Sequence, residues 1–224
     1  MSDFPNTLEV QILLNLEREL REFDRGNSNC LICRWFSSKG VENPRNENKV
    51  FSKSFRFIGK DSNPCYTGPG LLVYPSSTPN SKAYIGSFGG GKRSGEGARI
   101  NGQQIFIGNY RMDEKNGAGQ TWLINSQQGK VNVFKGAYKM GVRDGDCFLR
   151  DGDHEFNGSI VDGLYDGFCK IKYKTGDYFE GNFVQGQMQG SALIRYRNGD
   201  QFNGELQSNE MTGSGRYLWS SQLN

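Results

Sequence analysis

The feature that most constrains this chain is a pair of glycines, nine residues apart, that recurs seven times after residue 56. Each copy begins with an aromatic anchor residue, which is followed by one glycine two positions later (+2) and another at +11. The anchors are Phe57, Tyr84, Phe106, Phe134, Phe156, Phe179 and Phe202. The +2 glycines are Gly59, Gly86, Gly108, Gly136, Gly158, Gly181 and Gly204, and the +11 glycines are Gly68, Gly95, Gly117, Gly145, Gly167, Gly190 and Gly213. Because the anchors are 22 to 28 residues apart, the pattern predicts a repeat protein, with function on an extended surface rather than in one catalytic pocket.

Within each copy the anchor, the +2 glycine and the side chain at +4 lie on one face of a predicted strand, because side chains alternate along a strand. The residues between them, such as Asn157 and Ser159, are largely polar or small. A turn is expected near +7, and a second strand begins at the +11 glycine. Position +13 is always small, being occupied by Gly70, Gly97, Gly119, Cys147, Cys169, Ala192 and Gly215. We expect rings from neighbouring strands to lie over these small positions. The pattern predicts β-hairpins that pair into one elongated, single-layer antiparallel sheet with an aromatic face and a polar face.

Three segments are predicted: a helix in residues 1–26, a connector in 27–56 and the repeat sheet in 57–224. Residues 6–25 favour one amphipathic helix, with Asn6 and Glu9 as a capping box and Gly26 as a stop. Its apolar stripe is Leu8, Ile12, Leu16, Leu20 and Phe23. The stripe packs on the chain's own sheet or, alternatively, on a partner. The connector contains an apolar knot from Cys30 to Phe36, with one strand expected around Val50 to Phe57.

Composition excludes several classes of function. The net charge is +3, which argues against nucleic acid as the main partner. No apolar run reaches the roughly 20 residues that span a bilayer, and the N-terminus lacks the pattern of a secretory signal. The five cysteines form no framework and fit a reducing compartment. We therefore expect a cytoplasmic protein.

No pattern of catalytic residues or metal ligands stands out. The single histidine, His154, is expected in a solvated loop, and the acidic cluster around it is expected to be solvated rather than to bind calcium. That cluster comprises Asp144, Asp146, Asp151, Asp153 and Glu155. Cys30 and Cys33 form a C-x-x-C pair without a second pair of ligands, so we expect apolar packing rather than zinc or redox chemistry. Cys147 and Cys169 also fit packing, and nothing in the sequence requires a bridge between them. The glycine-rich stretch 89–95 lacks the spacing of a phosphate loop. The expectation is a chain without catalytic residues, cofactor or metal.

The pattern aromatic-x-Gly-x-aromatic, followed by Gly-x-Gly, resembles the MORN repeat (membrane occupation and recognition nexus). Residues 84–97, 106–119 and 179–190 are near the family pattern, and the resemblance covers 57–219. Two departures are the absence of the family's tryptophan at +4 and the replacement of its second glycine by Cys147, Cys169 and Ala192. The resemblance implies a curved or gutter-shaped sheet that serves as a protein-binding scaffold, often in cilia, flagella (including radial spokes) or other cytoskeletal assemblies. Phospholipid binding has also been proposed for the family.

The main functional prediction is that the aromatic face binds a partner, for example a helical segment, because large exposed apolar patches mark interaction sites. The residues predicted for this face are Tyr84, Phe88, Phe106, Tyr110, Phe134, Tyr138, Phe156, Tyr173, Phe179, Phe183, Tyr196, Phe202 and Trp219. In the alternative, these rings only stack on one another and under the N-terminal helix.

Other functions stay open at this point. One is a peripheral membrane tether that uses Lys170, Lys172, Lys174 and the turn at Lys92 and Arg93 on anionic lipid. Another is a metal- or thiol-dependent enzyme built on Cys30 and Cys33. The end strands of the sheet could also pair with a second copy of the chain.

Overall fold

The computed structural model describes residues 7–25, 30–39, 49–51, 56–59, 66–74, 82–125 and 130–220. Its helices are α1 (Leu8–Leu14), α2 (Leu16–Asp24) and α3 (Leu31–Ser38). Its strands are β1 (Lys49–Phe51), β2 (Arg56–Gly59), β3 (Gly68–Tyr74), β4 (Lys82–Gly89), β5 (Lys92–Asn101), β6 (Gln104–Arg111), β7 (Glu114–Asn125), β8 (Lys130–Lys139), β9 (Val142–Arg150), β10 (His154–Val161), β11 (Leu164–Tyr165), β12 (Gly167–Tyr173), β13 (Tyr178–Val184), β14 (Gln187–Arg195), β15 (Gln201–Gln207) and β16 (Glu210–Leu218). The strands form one open antiparallel sheet whose order follows the chain, with β11 paired to β10 alone. The predicted sheet of β-hairpins is confirmed.

The chain divides into two compact units, unit 1 (residues 1–117) and unit 2 (residues 118–224). The anchors Phe57, Tyr84 and Phe106 lie in unit 1. The other four anchors lie in unit 2.

The hairpins share two-residue turns in which both central residues, at +6 and +7, have positive φ. Met112 and Asp113 have φ of 52° and 76°, and Gln185 and Gly186 have 50° and 80°. Such type I′ turns match the right-handed twist of the flanking strands. The predicted turn near +7 is therefore confirmed at these positions.

A repeated backbone hydrogen bond joins five of the described turns to the preceding repeat. The N–H at +7 donates to the carbonyl at +9 of the repeat before it, for example from Asp113 to Arg93 at 3.0 Å and from Gly186 to Tyr165 at 2.8 Å. The same bond runs from Gly91 to Tyr66, from Gly163 to Arg143 and from Asn209 to Met188. Because it joins two backbone groups, this bond uses no side-chain group at either position.

The +11 glycines have a conformational role. Six of them have φ between +79° and +106°: Gly68, Gly95, Gly117, Gly145, Gly167 and Gly190. The pairing register shifts beside them, as between Gly181 and Phe183 on β13. A residue with positive φ in a strand is the mark of a β-bulge, and glycine adopts that conformation without strain.

The predicted single N-terminal helix is wrong in one respect, because α1 and α2 are separate helices. Asn15 lies between them, with its side-chain Nδ2 donating to the carbonyl of Gln11 at 2.9 Å. Asparagine competes for backbone groups in this way, which disfavours a continuous helix. Thr7 caps α1 through its hydroxyl oxygen. The predicted capping residue Asn6 and the stop at Gly26 lie outside the described residues.

The apolar knot of the connector forms α3, a helix that the sequence analysis did not predict. Cys30 is its N-cap residue and accepts a hydrogen bond from the N–H of Cys33 through Sγ at 3.4 Å. The carboxylate of Glu19, itself buried, accepts the N–H of Leu31 at 2.8 Å and so fixes α2 to the start of α3. The indole N–H of Trp35 donates to Glu9 at 2.9 Å, which fixes α3 to α1.

The helices cover unit 1 on the sheet face opposite the anchors. One cluster joins the helical residues Ile12, Leu13, Leu16, Cys30, Ile32, Cys33, Trp35 and Phe36 to the strand residues Ile58, Leu71, Ala83, Ile85 and Ala98. Leu20 is partly buried against it, whereas the side chains of Leu8 and Phe23 lie outside the described residues. The alternative in which the stripe packs on its own sheet is thus correct for Ile12, Leu16 and Leu20.

This packing corrects the expectation of a polar face in unit 1. Position +1 there is occupied by Ile58, Ile85 and Ile107, and the first two are fully buried. In unit 2 the same position is occupied by Lys135, Asn157, Glu180 and Asn203. The helix-covered repeats of unit 1 thus have isoleucine at +1, where the repeats of unit 2 have polar side chains.

A matched pair of alanine substitutions in β4 tests the close packing at the +2 glycines. A Cβ at Gly86 would lie 2.5 Å from the Cα of Gly97 and 2.7 Å from the carbonyl oxygen of Glu96, whereas one at Gly89 would meet nothing closer than 3.5 Å. Because backbone atoms cannot move aside cheaply, we expect Gly86→Ala to lower the free energy of unfolding by roughly 1–3 kcal/mol. Gly89→Ala should change it by less than about 0.5 kcal/mol. Urea unfolding followed by circular dichroism measures both, and equal stability of the two variants would contradict the packing.

Candidate functional site: the ring face

The ring face is the sheet face that carries the anchors. Each anchor ring lies over two small residues, the +2 glycine of its own strand and the small residue at +13 on the next strand. A Cβ at Gly204 would lie 2.7 Å from the ring of Phe202, and so would one at Gly215. Tyr84 covers Gly97 in the same way, within 2.5 Å of a Cβ there. The expectation that rings from a neighbouring strand cover the +13 positions is confirmed at these residues.

The +4 rings meet the anchors edge to face, the geometry that aromatic quadrupoles favour. Phe88 contacts Tyr84 with the ring centroids 5.0 Å apart and the planes at 85°. Between repeats, Tyr110 contacts Tyr84 at 5.3 Å and 87°. Phe183 contacts both Phe179 and Tyr165 in unit 2. In unit 1 the rings from Phe57 to Tyr110 thus form a continuous row.

The +9 side chains cover the row from the solvent side, which the sequence analysis missed. Tyr66 stacks on Phe57 and Tyr165 stacks on Phe156, each at 4.0 Å between centroids. In other repeats a cation takes this place, with the Arg143 guanidinium 4.4 Å from the ring centre of Phe134. The full set at +9 is Tyr66, Arg93, Lys115, Arg143, Tyr165, Met188 and Met211. These flat, cationic or thioether side chains all bind ring faces well. This shared chemistry is the sequence signal that could have predicted the covered rings.

Mutual packing buries most of the residues predicted for the partner-binding face. Ten are at most 6% exposed: Tyr84, Phe88, Phe106, Tyr110, Phe134, Tyr138, Phe156, Phe179, Phe183 and Phe202. The expectation that these rings lie open is therefore wrong. They stack on one another, as the alternative held, and the helices of unit 1 cover the opposite face instead. A direct role of these ten in partner binding stays a prediction.

Aromatic side chains remain accessible at the C-terminal end of the ring face. Trp219 is 56% exposed, and Tyr217, which the sequence analysis did not single out, is 38% exposed. Tyr217 lies 4.6 Å from Trp219 and 6.0 Å from the half-buried Tyr196, between ring centroids. We call Tyr196, Tyr217 and Trp219 the C-terminal aromatic cluster. The last candidate, Tyr173, is half-buried beside His154.

Asp200 fixes the C-terminal aromatic cluster in place. Its carboxylate accepts the N–H of Ser220 at 2.8 Å, the hydroxyl of Tyr217 at 3.1 Å and the amide of Asn198 at 2.9 Å. The Ser220 N–H, aided by the other donors and opposed by burial, holds the pKa of Asp200 below its usual range. The charged form therefore persists at neutral pH, and the hydrogen bonds weaken only as the pH falls through this lowered pKa.

His154 is not the solvated loop residue that the sequence predicted, because it begins β10 and is half-buried. Its Nε2 is 3.0 Å from the hydroxyl of Tyr165, and its Nδ1 is 3.2 Å from Asp151. Burial raises the pKa of Tyr165 to about 12, so this phenol keeps its proton. Asp151 also accepts the N–H groups of Asp153 and His154. These contacts fix the turn before β10.

The four described cysteines lie in packing positions. Cys30 and Cys33 are buried in the helix–sheet cluster of unit 1. Cys147 and Cys169 flank Gly158 from the two strands beside β10, which places their Cα atoms about 9–10 Å apart. A disulfide requires less than about 7 Å, so these two cysteines cannot bridge without backbone movement. Among the described residues, no group of three or more metal-ligating side chains occurs, and no helix there is long and apolar enough to cross a membrane.

Four segments of the chain match a known repeat family. The MORN repeat model matches residues 84–100, 156–178, 179–201 and 202–223. Every matched segment begins at an anchor, namely Tyr84, Phe156, Phe179 and Phe202. No curated protein matches the chain. The four matched segments, each in register with the ring-over-glycine packing, are therefore MORN repeats.

Proposed function

We propose that this protein with MORN repeats is a non-enzymatic scaffold that docks protein partners. The observation that carries the proposal is the C-terminal aromatic cluster, which stays accessible where the rings of the other repeats are buried. Tyrosine and tryptophan dominate the energetics of protein interfaces, since each presents a large and rigid apolar area. The proposed contact surface is therefore centred on Tyr217 and Trp219.

The side chains of the C-terminal aromatic cluster are held in fixed positions as well as exposed, and this favours binding. The hydrogen bond from Tyr217 to Asp200 and the ring contact with Trp219 hold both side chains in place before a partner arrives. Pre-ordered side chains lose less conformational entropy on binding. The setting we propose is a cilium or another cytoskeletal assembly, and the support for that setting is the family resemblance alone.

The charges favour a protein partner over an anionic membrane. Of the basic residues predicted for a membrane contact, Arg93 forms an ion pair with Asp113 at 2.9 Å and Lys170 one with Glu180 at 3.2 Å. Such pairs reduce the attraction to an anionic surface. The net charge of +3 adds little to it.

Substitutions in the cluster test the proposed docking surface. We expect Tyr217→Ala combined with Trp219→Ala to lower the affinity for the partner by roughly 30-fold or more. The reason is that loss of a hot-spot residue costs at least about 2 kcal/mol of binding free energy. Tyr74→Ala is the matched control, since Tyr74 is a 43% exposed aromatic at +17 of the first repeat, as Trp219 is of the last. The measurement is quantitative mass spectrometry of the full chain purified under mild conditions from the cells that produce it.

Two results would contradict the proposal. The first is a chain that purifies with no stoichiometric protein partner, or with one that both variants retain equally. The second is flotation of the chain with anionic vesicles at low salt in the absence of any such partner, which would support the membrane alternative.

The thiols of unit 2 provide a test against thiol-dependent chemistry. Burial raises the pKa of Cys147 to about 11 and that of Cys169 to about 12. Since the thiolate is the reactive form, we expect iodoacetamide to modify both residues far more slowly than free cysteine at pH 7.5, and faster as the pH rises. Peptide mass spectrometry resolves the two sites, and the urea-unfolded chain is the control. Labelling at the rate of free cysteine in the folded chain would contradict this expectation.

A further inference from the structure

The sheet face opposite the rings differs between the two units. In unit 1 the +1 and +14 positions of this face, such as Ile85 and Ala98, are buried under the helices. We call the same face in unit 2, at +1, +12, +14 and +16 of the four repeats there, the back face of unit 2. It carries Phe168 at +12, which is 55% exposed, and the half-buried Phe148 and Leu193 at +14.

The apolar part of the back face lines an open groove. This groove has a volume of about 500 Å³ and is bordered by Phe148, Phe168, Asn157, Asp146 and Lys170. Phe168 is thus an exposed ring beside a concave apolar surface, which is the form of a docking site for a side-chain stripe.

A row of cations lies beside this groove. The register of the strands places Arg150, Glu155, Lys172, Tyr178 and Arg195 on one line across β9, β10, β12, β13 and β14. Lys172 and Arg195 are exposed. The line holds three cations and one carboxylate, with a cation on every second strand. Because neighbouring strands are about 4.8 Å apart, successive cations lie about 10 Å apart.

We propose that the back face of unit 2 docks an acidic amphipathic helix of a partner protein. Apolar side chains of that helix lie on Phe148 and Leu193, with Phe168 on one flank. The register places Asn157 and the Lys170–Glu180 ion pair between these two contacts. The carboxylates of the helix lie on the other flank and pair with Arg150, Lys172 and Arg195. The proposal goes beyond the docking role of the C-terminal aromatic cluster, since it concerns the opposite face and a partner of different chemistry.

The dimensions of the face fit this occupant. A helix rises about 10.5 Å in seven residues, so acidic residues one heptad apart match the spacing of the cations. The cation row lies two residues along the strands from Phe148 and Leu193, about 7 Å away, which is within the width of one helix of about 10 Å. The same face takes helices in unit 1, where position +16 is apolar, as at Val73 and Ile100. In unit 2 the cationic side chains at this position, Arg150, Lys172 and Arg195, select for negative charge.

The probe for this proposal is a synthetic helix of roughly five turns, about 18 residues, with a leucine stripe and glutamates one heptad apart along one flank. Its twin has lysine in place of every glutamate. Fluorescence anisotropy with the full chain should show binding of the acidic helix, at least 10-fold weaker binding of its twin, and weakening with added salt. No binding of the acidic helix, or equal binding of the two helices, would overturn the proposal.

Variants then locate the binding. We expect Phe168→Ala to lower the affinity for the acidic helix at least 10-fold. The double variant Lys172→Glu with Arg195→Glu should lower it by at least the same factor. The controls Tyr74→Ala and Lys92→Glu change an exposed aromatic and an exposed cation in unit 1 and should leave binding unchanged. Thermal unfolding checks that every variant is folded, which is expected because each substitution is at a surface position.

Two further results separate this proposal from its alternatives. Trp219→Ala should not affect the acidic helix, so loss of binding in that variant alone would place the helix on the ring face and overturn the assignment. Anionic vesicles that bind through Lys172 and Arg195, with no binding of the acidic helix, would assign the cation row to lipid headgroups and overturn it as well.

Discussion

The packing of one aromatic ring over two small residues is the interaction on which the rest of the structure depends. A ring such as Phe202 fills the space that side chains at Gly204 and Gly215 would occupy, so the sheet buries apolar area on this face without a second layer. The hydrophobic contribution follows buried area, at about 25 cal/mol per Å², and a flat ring on flat backbone buries much of it. Each repeat thus brings its own small core and its own contact with the next repeat.

The repeated glycines have two separate structural roles. Those at +2 and +13 leave room for a ring. In three repeats a small side chain, Cys147, Cys169 or Ala192, takes the +13 position. The glycines at +11 supply a positive φ at a bulge, which a side chain would strain. The backbone bond from +7 to +9 of the preceding repeat then fixes the order of the hairpins, and it uses no side-chain group.

The sequence predicted the elements that depend on periodicity and missed those that depend on packing partners. The strands, the turns and the ring-covered small positions follow from alternation and from glycine spacing. The break at Asn15 and the helix α3 depend on local hydrogen bonds to Gln11 and on capping by Cys30, which periodicity does not report. Ile58, Ile85 and Ile107 share one repeat position, and this apolar set is the signal for the covered face of unit 1. A single pattern for all seven repeats does not show it, because the same position is polar in unit 2. The burial of the ten rings was missed because the +9 side chains that cover them show no single residue type.

The residues that build the sheet are distinct from those that remain accessible for binding. The buried rings hold the repeats together, whereas the C-terminal aromatic cluster and the back face of unit 2 are accessible. The packing on which the structure depends places an anchor ring such as Tyr84 over the +2 glycine of its own strand and the small residue at +13 on the next strand. Nuclear Overhauser spectroscopy of the native chain tests this most directly, through contacts between the ring protons of Tyr84 and the Hα protons of Gly86 and Gly97. Strong contacts from the ring to both glycines are predicted, with Hα resonances displaced by the ring current. A ring with no contact to Gly97, or glycine resonances at their unperturbed positions, would contradict the account.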